Sequence, residues 1–122
     1  KHLLIMVTDG VTHEGEGCDY QLDPNVVEAK VGKCTGPTHP CGPLGCADKC
    51  MCGLYKAEVF KDKGYRLDIV GIANQHHIGL TEAGYFKTLM EHMASPNKCN
   101  VADEFSHLTA MVPKVVDDAC SS

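Results

Sequence analysis

A chain of 122 residues has room for one domain with a core of ordinary size, and its net charge of -5 lacks the basic surface that a nucleic-acid backbone requires. The hydrophobic fraction of 43% and the charged fraction of 22% are those of a soluble globular protein, and no stretch approaches the ~20 apolar residues of a membrane span. Eight cysteines, an even number, are rare in cytosolic chains unless they bind metal or do thiol chemistry, so the composition points to a secreted, extracellular or cell-surface protein. The apolar run at residues 3–7 is too short for a signal peptide and Thr8-Asp9-Gly10 is no cleavage site, so a secretion signal is expected to have been removed or to lie upstream.

The run at 3–7 predicts a strand buried on both faces, with neighbours on either side, that ends in Thr8-Asp9-Gly10. Residues 10–53 are rich in glycine and proline and predict a long loop, broken at most by a short helix over 25–30 after Asp23-Pro24. A loop of this length must be functional, disordered or stapled, and six of the eight cysteines within it favour stapling. Residues 54–63 read as a helix ending at Gly64, and residues 66–72 as a second apolar strand. A helix over 81–94 places Tyr85, Phe86, Leu89, Met90 and Met93 on one face. A short extended piece at 99–101 follows. Asp103 then looks like the N-cap of a last helix, with Leu108, Met111, Val112, Val115 and Val116 on one face.

This order is α/β and implies a Rossmann-like, mainly parallel sheet flanked by helices. Ligands of such sheets bind beyond the carboxyl ends of the strands. Two loops leave strands at that edge, one with Thr8, Asp9 and Gly10, the other with Asn74 and the His76-His77 pair. A carboxylate there suits a hard cation such as Mg²⁺ or Ca²⁺, while Asp-Gly is equally ordinary turn chemistry. The adjacent histidines read as a solvated loop, Met90 and Met93 as core, and His92 and His107 as surface. No nucleophile elbow, phosphate-binding loop or dinucleotide fingerprint is present, and no catalytic set stands out.

Three segments together carry a resemblance: LLIMVTDG at 3–10, AEVFKDKGYRLDIVGIAN at 57–74, and YFKTLMEHMASPNKCNVADEFSHLTAMVPKVVDDAC at 85–120. In order and spacing they resemble the second half of a von Willebrand factor type A domain. The resemblance covers residues 1–10 and about 54–120, leaves 11–53 as a Cys/Gly/Pro-rich insertion, and implies a domain incomplete at its N-terminal side. It also implies a role in adhesion or assembly, with a protein ligand or neighbouring subunits as partners, as a homo-oligomer or filament among other forms. Of the family's metal site only the T-D-G aspartate carries over, onto Asp9, where the family pattern makes its contact mostly water-mediated. The D-x-S-x-S loop that supplies the primary ligands occurs nowhere in the chain. Mg²⁺ or Ca²⁺ therefore enters only if a missing N-terminal half brings them. The alternatives are a structural building block with a degenerate metal site and an intracellular zinc-stabilised scaffold of the same fold.

Within the insertion Cys34, Cys41, Cys46, Cys50 and Cys52, with His39, lack the paired C-x2-C spacing of structural zinc sites, so disulfides are the favoured reading. If Cys18 joins these five, three bridges staple the loop. Cys99 and Cys120 would then pair with each other, unless one of them bonds outside the chain.

Overall fold

In the computed structural model, which describes residues 2–8, 22–72, 80–102 and 105–121, three apolar segments form one parallel sheet. Strand β1 is Leu3–Thr8, β2 is Arg66–Ile72 and β3 is Cys99–Ala102, in the order β1-β2-β3. The described residues also form helices α1 (Pro24–Val31), α2 (Asp48–Asp62), α3 (Leu80–Met93) and α4 (Phe105–Ser121), and a 3-10 turn at Gly42–Leu44. The architecture is α/β, a parallel sheet with helices against it, consistent with a Rossmann-like fold. No helix among the described residues is long and apolar enough to cross a membrane.

Strand β2 is the centre, and its backbone alternates between neighbours. The amide of Arg66 donates to His2 O at 3.0 Å, whereas that of Ile69 donates to Lys98 O at 2.9 Å. Even-numbered residues of β2 thus bond to β1 and odd-numbered ones to the β3 side. Side chains alternate as well. Leu67 and Ile69 lie under α2 and α3, in a cluster with Ala57, Phe86, Met90 and Ala94, against which Met6, Cys99 and Val101 pack. On this face a Cβ at Gly71 would collide with the Met90 thioether, so glycine lets α3 come close to the sheet. The other face carries Asp68, under α4.

Asp68 is 1% exposed, and a buried carboxylate needs a partner. Arg66 supplies it with two bonds of 2.7 Å, from Nε to Oδ1 and from Nη2 to Oδ2. The same guanidinium reaches Asp118 on α4 at 2.6 Å, and Lys98 reaches Asp118 at 2.7 Å. These bonds tie the last turns of α4 to the starts of β2 and β3. Val115 is the buried apolar contact of α4; Leu108, Met111 and Val112 are half-buried, and Val116 is exposed.

Two expectations are corrected. Strand β1 is not buried on both faces here: among the described residues it pairs with β2 alone, and Leu3, Leu4 and Val7 are exposed. An unbroken apolar run fits an edge strand as well as a central one, because the pattern records side chains and not the neighbours of the backbone. Helix α2 begins at Asp48, six residues before the expected start at 54. Cys50, Met51, Cys52 and Leu54 are all buried on its first turns, where cysteine and methionine act as hydrophobes. The short helix expected over 25–30 is α1, which Asp23 caps by accepting from the Asn25 amide at 2.9 Å. The segments expected at 66–72, 81–94 and 99–101 are β2, α3 and β3 to within a residue.

Lys98 and then Arg66, by their hydrogen bonds, hold the Asp118 carboxyl below its ordinary value. A carboxyl lowered in the fold contributes stability that is present above its unfolded pKa and is lost as pH falls through the folded one. Urea unfolding of the native chain should therefore weaken on acidification through the carboxylate range by more than that of Asp118→Asn. Equal losses would show that the pair does not hold α4 in solution.

Candidate functional site

Parallel pairing brings the carboxyl ends of the strands, Thr8, Ile72 and Ala102, to one edge of the sheet. Thr8 is half-buried there. Asp9, Gly10, Asn74 and the His76-His77 pair, all expected near this rim, lie outside the described residues, as do Cys18 and Asp103, the expected N-cap of the last helix. Among the described residues no three His, Cys, Asp or Glu side chains stand together as a metal site.

The insertion is built around disulfide cross-links. Cys34 bonds to Cys46 and Cys41 to Cys50, with Cα–Cα separations of 5.8 and 5.7 Å. Cys52 is disulfide-bonded too. As disulfides these sulfurs are not the thiolates that zinc takes. Cys50 sits in the first turn of α2, whose far end returns the chain to the start of β2, so that turn faces the carboxyl edge.

Close packing holds the loop's course. A Cβ at Gly42 would collide with the Gly36 carbonyl, and Gly45 and Cys46 both adopt left-handed backbone, with φ of 72° and 55°. For Cys46 that conformation costs on the order of 1 kcal/mol, and the bond to Cys34 and a 3.0 Å amide bond to Cys41 O keep it there. His39, named above as a zinc candidate, is a clasp instead. Its Nδ1 accepts from the Cys41 amide at 3.1 Å, which leaves Nε2 to donate to Val31 O at 2.9 Å and fixes the tautomer. One imidazole thus joins the end of α1 to the cross-linked turn.

Below the loop a second core gathers Val27, Cys41, Cys50, Met51, Leu54 and Leu89. A shallow depression of about 320 Å³ lies along this seam, lined by Lys30, Val31, Pro40, Leu54, Glu58 and His92. Lys30 pairs with Asp62 across it, and Lys61 pairs with Glu58 at 2.7 Å and donates to His92 O at 3.0 Å. Its charged groups hold one another, and the depression is a packing seam with no converging reactive pair. His92 and His107 are exposed as expected, and Met90 is core at 2% exposure.

The expected Cys99–Cys120 bridge is not made, and both cysteines are free. Strand alternation explains this. Cys99 points with Ile69 into the α2/α3 face, while its neighbour Lys98 reaches α4 on the other face. Cys120 is carried by α4, so the sheet lies between the two sulfurs. Burial first, and then the charge of Glu91, push the Cys99 thiol up to about 11 against the opposing pull of Lys87.

Compared with models of protein families, with curated proteins and with solved structures, the chain matches none.

Two measurements follow from this geometry. Removing the inner staple as Cys41→Ala/Cys50→Ala should cost about 2.6 kcal/mol by loop entropy, read by urea unfolding, with the sheet retained. Alkylation of the native chain at neutral pH should label exposed Cys120 well before Cys99 and leave Cys34, Cys41, Cys46, Cys50 and Cys52 unlabelled by peptide mapping. Because the Cys99 thiol is raised from 9.0 in the unfolded chain to about 11 in the fold, its contribution to stability should fade between those two values as pH rises.

Proposed function

We propose that this chain is an extracellular protein-binding module of von Willebrand factor A type, acting in adhesion or assembly, with the stapled insertion as its contact surface. The observation that supports the reading is where the covalent bonds lie. Both described bridges fall within the insertion or join it to α2, while the strand cysteine, Cys99, is free. A loop cross-linked in this way has little conformational entropy left to lose on binding, which favours recognition. Disulfides of this kind persist in oxidising compartments, in keeping with an extracellular setting. The D-x-S-x-S ligands of the cation-dependent form occur nowhere in the chain, so contact through the insertion is preferred. The experiment is solid-phase binding of the immobilised chain to a panel of extracellular matrix proteins, with and without chelator and reductant. Binding should survive chelation and be lost on reduction. Binding that is lost on chelation and survives reduction would move the contact to the rim, and no binding at all would count against the adhesive role.

A further inference from the structure

The two described bridges of the insertion differ in shelter. Cys41 and Cys50 are 0 and 2% exposed and lie in the second core with Val27, Met51, Leu54 and Leu89. Cys34 and Cys46 are half-buried, and the residues on either side of them, Lys33, Thr35, Gly45 and Ala47, are exposed. A Cβ added at Gly36 or Gly45 would meet no described atom within 4 Å, so there is room around this outer bridge for an attacking group.

The backbone differs too. Cys46 is held at φ 55°, a conformation disfavoured for a residue with a Cβ, and its amide donates to Cys41 O at 3.0 Å. The two closures interleave, Cys34–Cys46 across Cys41–Cys50. With the outer bond open, the residues between Cys41 and Cys50 stay tethered at both ends by the inner one. The His39 clasp, from Val31 O to the Cys41 amide, uses neither sulfur of the outer bond. Opening that bond frees one turn and leaves its frame standing.

We propose that Cys34–Cys46 is a redox-sensitive lock on the insertion, opened by a small monothiol of the glutathione class while Cys41–Cys50 stays closed. The thiolate attacks one sulfur of the bridge. The S–S bond breaks, a mixed disulfide forms on that cysteine, and the other cysteine leaves as a thiolate and takes a proton from water. A second thiolate attacks the mixed disulfide and releases the first cysteine, which is protonated in turn. The bridge has then gained two electrons and two protons, and the monothiol departs as its own disulfide. Once free, Cys46 relaxes out of the left-handed region and the turn between Gly42 and Ala47 loosens. The inner bridge and His39 keep the two thiols close, so the reverse exchange closes the lock again. Any consequence for binding rests on the insertion being the contact surface; the lock itself does not.

The test is timed exposure of the native chain to reduced glutathione, quenched with an alkylating reagent and read by peptide mapping. Cys34 and Cys46 should be labelled about tenfold or more faster than Cys41 and Cys50, whose attack waits on local opening. Amide exchange at that stage should quicken at Gly45 and Cys46, which donate to Gly42 O and Cys41 O, and hold at Cys41 and Met51. Cys34→Ser/Cys46→Ser should show the same exchange pattern with no thiol added and keep the Cys41–Cys50 bond. Labelling of all four cysteines together, or of Cys41 and Cys50 first, overturns the proposal. So does an opened outer bridge that leaves the Gly45 and Cys46 amides protected. None of these readouts uses a binding partner, so a failure of the adhesive reading leaves them unchanged.

Discussion

Everything in the described fold hangs on β2 being paired along both edges. A strand in that position has no water on either side, and from Leu67 to Ile72 it is buried throughout. Its side chains must therefore satisfy two different faces in strict alternation. One face is wholly apolar and takes α2 and α3. The other carries Asp68, and the placing of α4 follows from that single carboxylate. Asp68 cannot stay buried and charged without Arg66, which binds both of its oxygens. Arg66 lies at the start of the strand and is only half-buried, so it retains reach for a second anion. Asp118 takes that place and is shared with Lys98. A surface pair of this kind is individually weak. Here it acts one turn from Val115, so that the ion pair and this buried apolar contact hold the same end of α4.

The insertion is not a separate body. Its core includes Leu89 of α3, and Met93 packs against both this core and the one under the sheet. Packing alone would hold α1 loosely, since Val27 is its only buried residue and Val26 is exposed. The cross-links change the balance. By tying Cys41 to Cys50 they anchor the turn after α1 to the first turn of α2, and His39 ties that turn back to the end of α1. Short loops rich in glycine become rigid here through covalent closure and two side-chain hydrogen bonds, with little apolar area involved.

Much of this was legible in the sequence, and the failures have physical causes. Helix α3 and strand β2 are written in hydrophobic periodicity, and Phe86, Leu89 and Met90 are buried as their spacing demands. Periodicity cannot tell an edge strand from a central one, which is why Leu3, Leu4 and Val7 were expected inside. The start of α2 was hidden because Cys50, Met51 and Cys52 sit in a stretch whose glycines and prolines read as loop. The free state of Cys99 and Cys120 depends on strand parity relative to Lys98, a relation that appears only when β3 has a register with β2. The ion network was missed for the same reason, since Asp68 and Asp118 are fifty residues apart and meet only through the sheet. Of the residues singled out for the rim from the sequence, Thr8 is described, and Asp9, Gly10 and Asn74 lie outside the described residues.

At the insertion the backbone is closed on itself by sulfur, and its shape is set before any partner arrives. A preformed surface recognises by complementarity of side chains and has a low entropic cost of binding. As the proposed contact surface, the covalently fixed insertion is suited to choosing a partner, because its shape is set in advance.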